Sequence, residues 1–155
     1  MSAYNSASLN LLMGICLLRS DRLVDAELAF REANLLDNRN CEVWAYQALL
    51  CLTIGYHRLP EAEAALQQTL RLGLGASPVL RELGTAFIAV DKLQTAEDLI
   101  RRALAAEGGK GSPYTRKLLG DVLAGQQQAA KAVDEYKLIL DDDFSDNLSQ
   151  VKIGI

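Results

Sequence analysis

The chain has 155 residues, half of them apolar, with 16 basic and 20 acidic side chains and a net charge of −4. That suffices for one ordinary domain with a real core, and because aromatics are few the core must be mostly Leu, Ala, Ile and Val. The charge balance argues against a nucleic-acid or anionic-membrane binder, no run of about 18 apolar residues offers a transmembrane span, and the opening Met1-Ser2-Ala3-Tyr4-Asn5-Ser6 lacks the basic region of a signal peptide.

Apolar periodicity predicts eight helices in pairs. The first pair covers 7–19 and 23–36, with Asp21 in the turn between them. Asn38 and Asn40 bracket the turn before the second pair, 41–54 and 59–72, which is closed by Gly73 and Gly75. Ser77-Pro78 offers a cap followed by proline at the first helical position of the third pair, 78–90 and 93–106, with Asp91 in its turn. Gly108, Gly109 and Gly111 end that pair. Ser112-Pro113 repeats the cap for the fourth pair, 113–125 and 129–141, with Gly125 in its turn. Linkers of a few residues make neighbouring helices antiparallel, and no segment sustains the alternation of a strand.

The pairs are copies of one unit. A small residue on the first helix recurs at Gly14, Ala48, Gly84 and Gly120, spaced 34, 36 and 36. Its partner on the second helix recurs at Ala26, Ala62, Ala96 and Ala132, spaced 36, 34 and 36. Larger residues keep step: Leu17, Cys51, Phe87 and Leu123 on the first helices, Phe30, Leu66, Ile100 and Tyr136 on the second. Small residues let two helices cross closely, and bulky ones fill the space beside the crossing. A fixed period in this range signals a solenoid, which is usually a binding surface.

Met13-Gly14, Trp44, Leu83-Gly84 and Leu119-Gly120, each followed by the A-x3-large step of the second helix, resemble the tetratricopeptide repeat over about residues 7–141. The resemblance implies an all-α, right-handed superhelical solenoid of four helix-turn-helix repeats. It divides one domain, 1–155, into repeats at about 7–38, 41–74, 77–108 and 113–144, with a tail at 145–155. The usual proline after the second helix is missing throughout, repeat two carries two extra residues around Tyr56-His57-Arg58, and two more sit around Gly109-Lys110-Gly111. Residues 32–46 are similar to the repeat region of cilia- and flagella-associated proteins of the axoneme. The absence of a clear polar capping helix suggests a fragment of a longer protein.

In such arrays the first helix of each pair lines a concave groove. Carried over, the groove residues are Leu11, Ile15 and Leu18 in repeat one, Ala45, Leu49 and Leu52 in repeat two, Arg81, Thr85 and Ile88 in repeat three, and Lys117 in repeat four. The first and third helices are apolar nearly all round, which leaves Leu11, Ile15, Leu18, Leu49 and Leu52 facing water unless helix rotation tucks them into the core. Three occupants would cover them: a partner's amphipathic helix or extended peptide, the chain's own tail at 151–155, or a neighbouring segment of a longer protein. The Lys and Asn that grip a C-terminal carboxylate in chaperone-binding members are replaced by Leu11, Ile15, Ala45 and Leu49, which argues against that role. Arg81 and Lys117 remain available to an acidic group, although surface charges are usually just solvated.

Nothing writes a catalytic or metal site. His57 is the sole histidine, and Cys16, Cys41 and Cys51 are odd in number without CxxC spacing, so they read as small core residues in a reducing compartment. Gly108-Gly109-Lys110-Gly111-Ser112 lacks the order and preceding strand of a phosphate loop, and Leu72-Gly73-Leu74-Gly75 lacks those of a dinucleotide motif. Asp141, Asp142, Asp143 and Asp146 read as a solvated helix exit. The expectation is a non-enzymatic, cofactor-free scaffold that binds proteins but neither nucleic acid nor membrane, cytoplasmic and, by the resemblance, of the ciliary or flagellar axoneme. The alternatives are a self-association module and a domain regulating a neighbouring segment in cis.

Overall fold

A computed structural model describes the backbone of residues 3–153 and the side chains of residues 6–141. The described residues form eight α-helices: α1 (Ala3–Arg19), α2 (Leu23–Leu36), α3 (Cys41–Ile54), α4 (Leu59–Arg71), α5 (Ser77–Ala89), α6 (Leu93–Ala106), α7 (Pro113–Gly125) and α8 (Ala129–Ile153). No strand occurs among the described residues. The helices form two compact units, Met1–Leu74 and Gly75–Ile155, each holding two helical hairpins. In the first unit α1 packs on α2 and α3 on α4, and α3 also packs on α2. In the second, α5 packs on α6 and α7 on α8, joined through α6 and α7.

The small-against-large pattern is the crossing itself. A Cβ built on Gly14 would stand 2.6 Å from Cδ1 of Phe30, one on Gly84 would stand 2.9 Å from Cγ1 of Ile100, and one on Gly120 would stand 2.8 Å from Cζ of Tyr136. Each glycine thus meets the bulky residue that its own repeat places on the second helix. Phe30, Phe87 and Ile100 are fully buried, as are Ala26, Ala62 and Ala96.

The turns inside the hairpins share one solution. Asp21, Asp91 and Gln127 take left-handed φ angles of 60°, 61° and 63°. The next residue's N–H then reaches back across the helix end: Arg22 to Leu17 C=O, Lys92 to Phe87 C=O and Gln128 to Leu123 C=O, each at 2.9 Å. In repeat four the left-handed residue is therefore Gln127 rather than Gly125, which is the last residue of α7. Repeat two departs from this solution because its two extra residues form a 3-10 turn, Tyr56–Arg58, in which Arg58 N–H donates to Gly55 C=O at 3.0 Å.

Two of the predicted ends differ. Ser112 caps α7, its hydroxyl accepting from Thr115 N–H, and Asn40 caps α3 by accepting from Glu42 N–H. Ser77, in contrast, is already helical. The cap position is Ala76, whose C=O accepts from Leu80 N–H at 3.1 Å, and no side chain caps this end. Helix α8 runs to Ile153, past the expected stop at 141. No Gly or Pro lies between Gly125 and Gly154 to end it.

Candidate functional site

The residues expected to line a groove divide by burial. Leu11, Ala45 and Leu49 are core, with relative exposures of 6%, 0% and 5%. Ile15, Leu18 and Leu52 are half-buried. An apolar wall of Leu11 and Leu49 open to water is therefore corrected: α3 is enclosed by α2 and α4 and touches α1, and a helix apolar on every face buries every face. Cys51 is likewise buried, and burial pushes its thiol pKa up, as it does for half-buried Cys41. Cys16, read as a core residue, is exposed.

The second unit carries the open part of the first-helix face. Thr85 and Lys117 are exposed, and Arg81 and Ile88 are half-buried. The Arg81 guanidinium lies 5.2 Å from the ring centroid of Tyr114, itself largely exposed. Its Nη1 is 3.3 Å from Ser112 Oγ, 3.4 Å from Thr115 Oγ1 and 3.6 Å from Glu107 Oε1. Thr115, fully buried, donates to Glu107 Oε1 at 2.7 Å. One turn beyond Tyr114, Lys117 Nζ pairs with Asp121 Oδ2 at 2.8 Å, which raises the lysine pKa. Asp121 Oδ1 accepts from the Tyr136 hydroxyl at 2.6 Å, and this bond pushes the phenol up to about 12. Both cations thus face a carboxylate already, and Arg81 Nε is buried without a hydrogen-bond partner. The result is a neutralised strip that offers hydroxyls, an aromatic ring and paired charges.

The first unit holds a cleft of about 350 Å³ that the sequence did not announce. Trp44, Leu50 and Cys51 of α3 line it, beside Ala65 of α4. Arg58 spans its rim. It donates to both oxygens of Glu27, at 2.9 and 3.0 Å, and to both oxygens of Glu61, at 2.6 and 3.2 Å. Arg31 adds a second cation to Glu27 at 3.0 Å. The Arg58 hydrogen bonds hold the Glu27 and Glu61 carboxyls below the usual glutamate range. The signal was present in the sequence as the two-residue insertion in repeat two, since its 3-10 turn is what delivers Arg58 to a carboxylate of the preceding repeat.

Among the described residues there is no group of three or more His, Cys, Asp or Glu side chains placed to hold a metal ion. Among the described residues no helix is long and apolar enough to cross a membrane. The fold-back of 151–155 and the solvated exit at Asp142, Asp143 and Asp146 concern side chains outside the described residues.

Four helical hairpins with small residues at each crossing define a tetratricopeptide-repeat protein. Solved structures agree. The chain resembles PilF of Pseudomonas aeruginosa with a TM-score of 0.74 at 16% identity, over 89% of this chain and 61% of that one. It resembles MamA at 0.72 and 17%, over 92% and 81%. It resembles YrrB, described as a TPR protein with an unusual peptide-binding site, at 0.67 and 17%, over 86% and 67%. Within that class the chain belongs to the family described as the Cilia and flagella-associated protein 70 C-terminal domain, whose pattern matches residues 1–147. Over 73 residues, 47% of the chain, it is 45% identical to Cilia- and flagella-associated protein 70 of Homo sapiens and of Macaca fascicularis. The matched segment spans only 6% and 7% of those relatives.

Proposed function

We propose that the chain is a non-enzymatic protein-interaction scaffold serving the assembly of ciliary or flagellar axonemal complexes. Its recognition surface is the first-helix face of the second unit. The observation that carries this reading is the exposed strip of Thr85, Tyr114 and Lys117 beside half-buried Arg81 and Ile88. Because Arg81 and Lys117 already face Glu107 and Asp121, the partner is held by packing on the Tyr114 ring and by hydrogen bonds to hydroxyls and paired charges. An amphipathic helix or an extended peptide supplies both. Membership of a ciliary family supports the setting, and the peptide-binding description of YrrB supports the kind of ligand.

The test is quantitative capture from axonemal extract by the native chain and by a Tyr114→Ala/Lys117→Glu variant. Both side chains are exposed, so the variant keeps its helical circular dichroism. Axonemal proteins retained by the native chain and depleted at least tenfold by the variant support the reading; equal retention, or none, overturns it.

A further inference from the structure

The cleft between repeats one and two has a counterpart between repeats three and four, each inside one unit. The wall supplied by the preceding hairpin is the same in both. Arg31 pairs with Glu27 at 3.0 Å on α2, and Arg101 pairs with Glu97 at 2.7 Å on α6, at equivalent positions. The opposite wall differs. In the second unit Arg116 of α7 donates to Glu135 of α8 at 2.8 Å, with side-chain exposures of 15% and 19%, so the chain's own ion pair spans the two helices. In the first unit Trp44 and Ala65 hold those positions. Ala65 has no group to reach across, and the Trp44 indole N–H donates instead to Asn38 C=O at 3.0 Å. A volume of about 350 Å³ stays open where the ion pair is missing. Small-molecule sites begin at about this size.

The lining defines the chemistry of an occupant. Two cations, Arg31 and Arg58, face two carboxylates, Glu27 and Glu61, so the rim has no net charge. Arg58 is held by hydrogen bonds to both carboxylates, which fixes the rim before anything binds. The amides of Gln47 and Gln68, both in the lining, are oriented by their oxygens: Gln47 Oε1 accepts from Asn34 at 2.8 Å, and Gln68 Oε1 accepts from Arg71 at 2.6 Å. What each amide has left is its Nε2 donor. With its N–H engaged, Trp44 offers ring surface, beside Leu50 and Ala65. Aromatic surface, apolar walls and two donors, without net charge, suit a neutral flat ring that carries acceptors. A charged ligand would lose its hydration without gaining a free counter-ion.

We propose that this cleft binds a small neutral heteroaromatic molecule, its ring against Trp44 and its carbonyl or ring-nitrogen acceptors on the Nε2 groups of Gln47 and Gln68. The site is separate from the first-helix face of the second unit and takes a different kind of ligand.

The experiment is a titration of the whole chain with caffeine, followed by proton–nitrogen correlation spectra. Caffeine is planar and uncharged, and it carries acceptors but no N–H or O–H donor. Trp44 is the sole tryptophan, so its indole signal is identified at once. Saturable shifts of that signal and of the Gln47 and Gln68 side-chain amides are expected, while the backbone signals of Tyr114 and Lys117 stay in place. Urate, a purine with a negative charge, and N-methylindole, flat but without acceptors, are each expected to bind about tenfold more weakly, the first for its unpaired charge and the second for two missing hydrogen bonds. Trp44→Arg/Ala65→Glu installs the ion pair of the second unit and is expected to abolish the shifts at Gln47 and Gln68. Gln68→Leu, which copies Leu138 at the equivalent position, weakens binding about fivefold through the loss of one hydrogen bond. If the double variant loses helicity by circular dichroism, Gln68→Leu decides alone. The absence of a saturable shift at Trp44, an unchanged affinity in Gln68→Leu, or urate or N-methylindole bound as tightly as caffeine would each overturn the proposal.

Discussion

The crossing in repeat one allows a stringent test of the repeat logic. A Gly14→Ala substitution sets a methyl group within 2.6 Å of Cδ1 of Phe30, about 1 Å inside ordinary van der Waals contact. The ring is fully buried and stacked on Tyr46, so it has no free direction in which to withdraw. Overpacking of this kind costs about 1–3 kcal/mol, against which alanine's better helix propensity returns about 1 kcal/mol. The net loss is about 1 kcal/mol, or about 4–8 °C in the midpoint of a unit this size. Repeat two shows the alternative packing, with Ala48 at the glycine position and Leu66 at the ring position, both buried. Phe30→Leu alone leaves a cavity and costs about 1–2 kcal/mol. Installed together, the two changes reproduce the repeat-two pair, so the double variant is more stable than the sum of the singles by about 1–2 kcal/mol. Urea denaturation of the four proteins measures this coupling. Strictly additive losses would refute the claim that position 14 and position 30 form one packing unit.

Other features give sharper local readings. Gln127 holds a left-handed φ of 63° without the side chain that tolerates it, so Gln127→Gly raises stability by about 1 kcal/mol and Gln127→Val lowers it, read from urea midpoints. Glu27 is depressed by Arg58, so its contribution is present above the ordinary value of 4.5 and is lost as pH falls through the lower folded value; Glu27→Gln is expected to flatten that acid limb of the stability profile. Tyr136 has the opposite sign. Its contribution is complete below 10.0 and is lost as pH rises towards about 12, so a spectrophotometric titration shows a late-ionising tyrosine, and Asp121→Asn brings it back towards 10.0.

What was legible in the sequence follows from which signals are local. The small-and-bulky spacing is stated by the residues that make the crossings, and the glycines at 73 and 108, with φ of 85° each, mark two of the helix ends. The end of α8 was not legible, because the acidic run at 141–143 suggests a stop while only a Gly or Pro would enforce one. Ser77 and Ser112 share the same Ser-Pro dipeptide but not the same role. Glu107 and Thr115 hold the Ser112 hydroxyl at the helix start, a contact that adjacent residues do not reveal. The groove assignment failed at Leu11, Ala45 and Leu49 because a family position specifies which way a residue points, not how closely the next helix covers it. The insertion in repeat two marked the turn that carries Arg58 but not its partner, for a related reason: Glu27 lies 31 residues away.

Photo-crosslinking tests the central claim, that the first-helix face of the second unit is where partners bind. A photoreactive residue is placed singly at Thr85 or Lys117 on that face, and at Leu35 of α2 or Arg102 of α6, which are also exposed but lie on second helices. In extract from ciliated cells, the account predicts adducts with axonemal proteins from Thr85 and Lys117 and none from Leu35 or Arg102. Adducts from Leu35 or Arg102 alone, or the same adducts from all four positions, would contradict it.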